Sequence, residues 1–128
     1  MQLSALLSIA AVYMALAGLA FIFAPQAVGV GAVPPDAYPA LIAYLRLFGS
    51  PFLGIAVLNW TARNAESSTA RNAIILGNIV GFAVIAALDV WGSFSGGRQL
   101  TKVFAVIHLL FAAAFILIGR RSMSARTG

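Results

Sequence analysis

Four long apolar runs, separated by short polar connectors, restrict this chain more than any other feature of it. Leu3 to Phe23 contains no charged residue, over a length that crosses a hydrocarbon layer of ~30 Å at ~1.5 Å per residue. Three comparable runs follow, at about 37–60, 72–91 and 102–119. Continuous runs of this length predict helices and not the short alternating strands of a membrane barrel. The expected fold is therefore all-α: an integral membrane four-helix bundle forming a single transmembrane domain over 1–128.

Composition agrees. The 128 residues are 62% hydrophobic and 9% charged, and the mean hydropathy is +0.99, whereas soluble domains carry roughly 25% charged residues. Four spans use up most of the length, so no soluble catalytic domain fits beside them. The first run is read as a permanent helix closed by Pro25, because a signal peptide would begin with a basic region and have a shorter apolar stretch.

The connectors carry the punctuation. Between residues 24 and 39 lie Pro25, Pro34, Pro35 and Pro39 with Gly29 and Gly31, which predicts a loop. Asp36 is the expected cap of the second helix, with Pro39 in its first turn. Pro51 falls inside that helix, where it removes a backbone bond to Leu47 and predicts a kink. Ser67, Ser68 and Thr69 are candidates for starting the third helix, and Ser95-Gly96-Gly97-Arg98 marks the turn before the fourth.

Net charge is +5, but the basic residues sit at span ends and in connectors, without the basic stripe that nucleic acid would need. Arg63, Arg71, Arg120, Arg121 and Arg126 fall on one side of a four-span topology and Arg98 and Lys102 on the other. The positive-inside rule then places both termini in the cytoplasm, and a bacterial inner (plasma) membrane is the expected location of this multi-pass chain. Trp60, Trp91 and Tyr38 fall near span ends, as interfacial anchors do.

Small residues indicate where helices pack in lipid. Ser4, Ser8, Ala11, Ala15 and Gly18 recur along the first helix, and Gly77 and Gly81 are four residues apart in the third. Bundle packing is the first reading of Ser8, Ala15, Gly77 and Gly81; a homodimer surface is the second. The expected partners are the lipid bilayer and either further copies of the chain or a larger membrane complex, with no nucleic acid.

Polar residues inside spans are costly and need a reason. Arg46, Asp89 and His108 all fall in the same half of the membrane, at about 12, 4 to 5 and 9 Å from the predicted boundary. Asp89 lies within ~20° of Asn78 on a helical wheel, and His108 lies beside the stripe Thr101, Ala105, Ala112 and Gly119. Arg46 and Asp89 are expected to form an ion pair that holds two helices in register, or else to line a cavity for a polar or anionic ligand. His108 is read as a hydrogen-bonded packing residue that relays protons if Asp89 or Arg46 is adjacent. Asn78 is expected to hydrogen-bond between helices, and Asn59 to be interfacial.

No nucleophile elbow, spaced triad or phosphate loop accompanies these residues. With no cysteine and a lone histidine, neither a metal site nor a cofactor is expected. A first helix followed by Leu45-Arg46-Leu47-Phe48-Gly49, then Gly54 and Asn59-Trp60 ahead of a basic turn, resembles the layout of DoxX-like and related small four-helix bacterial membrane proteins. That resemblance implies a membrane redox or accessory role. Small multidrug transporters are similar in size, but the glutamate of their first helix has no counterpart here. The leading expectation is a non-enzymatic accessory or interaction subunit. A small oligomeric transporter or ligand-binding membrane protein is the alternative, and an enzyme acting on a lipid-soluble substrate comes third.

Overall fold

The computed structural model describes residues 2–29 and 31–124; Arg126, counted above for topology, lies outside them. Every regular element among the described residues is helical: α1 (Leu3–Phe23), α2 (Pro25–Val28), α3 (Pro39–Ala62), α4 (Thr69–Phe94), α5 (Gln99–Ala114), a π-helical turn (Phe115–Gly119) and α6 (Arg120–Ser124). Counting Gln99–Ser124 as one run, four helices are long and apolar enough to cross a bilayer, and the chain is read as an integral membrane protein on that basis. By its internal contacts the chain divides into two compact units, Leu7–Thr61 and Met1–Leu6 with Ala62–Gly128.

In the Leu7–Thr61 unit, α1 and α3 cross at two glycines. A β-carbon built on Gly49 would stand 2.5 Å from the Gly18 carbonyl oxygen, and one on Gly18 would stand 2.9 Å from the Gly49 carbonyl oxygen. Glycine is needed at both because the backbones touch, which in lipid is where packing energy comes from. Beyond the crossing, Phe21 stacks on Phe52 at 5.6 Å and leans on Phe48 at 6.4 Å. Along α1 the buried stripe is Leu7, Ala10, Ala11, Met14 and Gly18. Ser8 and Ala15 are only half-buried, so the stripe shares Ala11 and Gly18 with the expected small-residue seam but turns toward the larger apolar side chains.

Gly49→Ala is expected to destabilise this crossing by about 1–2 kcal/mol, since overpacking costs ~1–3 kcal/mol while the better helix propensity of alanine returns at most ~1. Gly54→Ala is the control, because nothing lies within 4 Å of its built β-carbon; it should be neutral or stabilising. Thermal unfolding in detergent, followed by helical circular dichroism, distinguishes the two.

Several boundaries differ from the sequence reading. α3 starts at Pro39, with Tyr38 offering its carbonyl to Leu41 and Ile42. Asp36 therefore stands outside the helix and does not cap it; proline at the first position, which has no N–H to satisfy, fixes the start. α3 runs on through Pro51 to Ala62. α4 begins at Thr69, capped by the Ser68 hydroxyl accepting the Arg71 amide at 3.2 Å, and ends only at Phe94.

The α4–α5 turn is closed by glycine chemistry. Gly96 has φ +81°, and the Gly97 amide donates to the Gly92 carbonyl at 2.8 Å, the six-to-one bond of a Schellman ending. A side chain at 96 would be strained by its left-handed backbone. Thr101 then packs its methyl 3.4 Å from where a β-carbon on Gly92 would be, and α5 returns antiparallel to α4.

Two stripes face each other along that hairpin. α4 offers Ile75, Asn78, Phe82 and Ala86, and the helix facing it offers Ala105, His108, Ala112 and Phe115, each at three- or four-residue spacing. Ile75 lies 2.6 Å from where a β-carbon on Gly119 would be, so glycine lets the π-helical turn come close to α4. Phe82 stacks on Phe111 at 4.5 Å and on Phe115 at 5.7 Å. Pairs low in α4 meet residues high in the returning helix, as an antiparallel register requires.

Candidate functional site

Asp89 continues the buried stripe of α4 two turns beyond Phe82, and His108 occupies the middle of the opposing stripe. The hairpin register brings them together: Nδ1 of His108 lies 2.6 Å from Oδ2 of Asp89. The His108 side chain is 7% exposed and that of Asp89 20%, so the pair sits at the edge of the apolar interface with its imidazole inside. Both groups lie further from their helix ends than the predicted helix bounds imply. With α4 reaching Phe94 and α5 starting at Gln99, Asp89 is about 7 Å and His108 about 13 Å from their helix ends.

The imidazole has aromatic walls. Phe104, one turn earlier on α5, lies nearly parallel to it at 5.9 Å, and Phe82 approaches from α4 at 6.1 Å, tilted by 39°. These rings give the imidazole apolar surroundings, in which a hydrogen bond to a charged group is stronger than in water. An ionised carboxylate can only accept, so with Asp89 ionised the shared hydrogen is the Nδ1–H of His108, which fixes the tautomer of the ring.

Asn78 is also buried on this face of α4, and its amide donates to the Ile74 carbonyl at 2.8 Å, a bond within its own helix. Gly77 and Gly81 lie on another side of α4; both are exposed, with nothing within 4 Å of a built β-carbon. The large side chains Ile75 and Phe82, and not this glycine pair, pack α4 on α5. Arg46 is exposed on α3. It and Asp89 belong to different units, and the partner that Asp89 finds in its own unit is His108.

Sequence reasoning missed three features. Asn59, read as interfacial, is fully buried within the protein; its position three residues after Ala56 on the buried side of α3 was the available sign. Phe104 was legible as the residue one turn before His108. Arg71, counted only as a topology charge, is a clasp: Nη1 donates to the Ala65 carbonyl at 3.1 Å and Nη2 to the Ser122 hydroxyl at 3.0 Å. That link spans 51 residues, and no local pattern announces it.

Among the described residues no three or more histidine, aspartate or glutamate side chains gather as a metal site would need. An open cleft in the connector between α1 and α3 is lined by Gln26 and Gly31 to Pro35, none of them a candidate residue named above. No family model, curated protein or solved structure matches this chain.

Proposed function

We propose that this protein is a proton-responsive integral membrane protein, a small transporter or ligand-binding protein in which the Asp89–His108 pair takes up and releases the proton. The observation that carries this reading is the 2.6 Å hydrogen bond to a buried imidazole between two apolar spans. A histidine placed only for packing needs no carboxylate, since two polar groups in this setting cost more than apolar residues of the same size. A histidine that changes charge does need one. Protonation at Nε2 would convert a neutral imidazole beside a carboxylate, a pair of net charge −1, into an imidazolium–carboxylate pair with no net charge, and alter how tightly α4 and α5 hold each other, which is how a proton would be coupled to a bound solute.

His108 is the sole histidine, so its imidazole can be followed without interference. With the protein labelled with 15N-histidine in micelles, the ring resonances are expected to pass between two end states across a pH series, and the transition should move in Asp89→Asn. A ring that stays in one state at every pH at which the protein is folded would sink the proposal.

The topology that goes with it has cytoplasmic termini in a bacterial inner membrane, supported by five basic residues against two in the sequence count. A second reading, an accessory or interaction subunit of a homo-oligomer or larger complex and not an enzyme, is favoured by the exposed Gly77 and Gly81, whose small faces permit close approach of another helix. The resemblance to DoxX-like proteins supports that accessory role. Retention of another polypeptide after gentle purification would favour this reading over the transporter.

A further inference from the structure

Arg46 lies seven residues inside α3 and is exposed there, as are its neighbours Ala43, Leu47 and Ser50. Tyr44 and Leu47, 60% and 68% exposed, make its surroundings those of a lipid-facing helix. Among the described residues of its own unit the guanidinium makes no hydrogen bond or ion pair, and the unit's single acidic residue, Asp36, lies in the connector before the helix. Nothing in that unit therefore supplies the arginine with an anion.

We infer that Arg46 binds the phosphodiester of a phospholipid in the leaflet at the Pro39 end of α3. The geometry selects this occupant. α3 is about 36 Å long against a hydrocarbon core of ~30 Å, which puts the Cα of Arg46 roughly 8 Å below the headgroup boundary when the helix is centred. Side chains on a helix lean toward its N-terminus, here toward that same boundary, so the long stem runs upward through the acyl region and delivers the guanidinium to phosphate level. Ala43, one turn above, is small and exposed, which leaves room for a headgroup to descend beside the helix. The planar fork of arginine matches two phosphate oxygens at once. A carboxylate on another protein's helix would have to be buried at the depth the side chain is leaning away from.

The test is native mass spectrometry of the full chain from mild detergent, titrated with phosphatidylglycerol, with diacylglycerol of the same acyl chains, or with inorganic phosphate. Phosphatidylglycerol should bind the wild type in preference to diacylglycerol, with an affinity that falls about fivefold in Arg46→Leu, as expected for one basic residue at a lipid surface, and is largely kept in Arg46→Lys. Equal phosphatidylglycerol binding by Arg46→Leu overturns the inference. So does inorganic phosphate that displaces the lipid at equal concentration, which would make a free anion the ligand, or a second polypeptide held through Arg46. If Arg46→Leu fails to fold, the wild type decides alone: no preference for phosphatidylglycerol over diacylglycerol overturns the inference.

Discussion

Asp89→Ala is expected to destabilise the α4–α5 hairpin by about 2–3 kcal/mol, somewhat below the ~3–5 kcal/mol found when one partner of a fully buried pair is removed, because the Asp89 side chain is 20% exposed. The loss comes less from the missing hydrogen bond than from the donor left behind, an Nδ1–H beside Phe82 and Phe104 that has lost its carboxylate. The double variant Asp89→Ala with His108→Phe should therefore be more stable than Asp89→Ala alone, since it removes both polar groups and fills the space with a ring. Unfolding in a denaturing detergent titration, run on the wild type, both single variants and the double, measures the coupling. Additive effects would show that the two side chains stabilise the hairpin independently.

Phe82→Ala is expected to cost about 2–3 kcal/mol. In a water-soluble core the loss would approach ~3–5 kcal/mol, but part of that figure is the transfer of a ring from water, which lipid does not supply. What is lost here is dispersion: Phe82 is 1% exposed and stacks on both Phe111 and Phe115 while touching the His108 ring. The same variant opens space beside the imidazole. Phe82→Leu should recover more than half of the stability, and the 15N spectrum of His108 should report in both variants whether the ring has lost its aromatic wall.

The fold class was legible because apolar length is a coarse signal that one sequence carries completely: four runs of the right size leave few alternatives to four long helices. Half of the candidate site was legible as well. Asp89 and His108 could each be picked out as costly residues, and their helical phases put both on packed faces. Their pairing was not readable, because it depends on the register of α4 against α5, which is set by the Gly96–Gly97 turn and by helix ends lying three residues beyond the expected ones. Arg46 carries a different ambiguity. Its cost in lipid argued for an interior position, yet a long side chain near one end of a span can leave the membrane without entering the protein. Gly77 and Gly81 are ambiguous for a related reason: small residues mark where helices can come close, not which of the available neighbours does.

The Schellman turn that joins α4 to α5 also bears on how the chain enters a bilayer. Because the link is short and its conformation is fixed by Gly96 and Gly97, Asp89 and His108 are only 19 residues apart in the chain. An αα-hairpin of this kind forms from local contacts, which close rapidly. Asp89 therefore need not wait in lipid for a distant helix to be synthesised: once His108 has left the ribosome its partner is one turn-closure away, and the pair can insert already joined. Lengthening this connector would slow that joining, exposing a lone carboxylate to the insertion machinery.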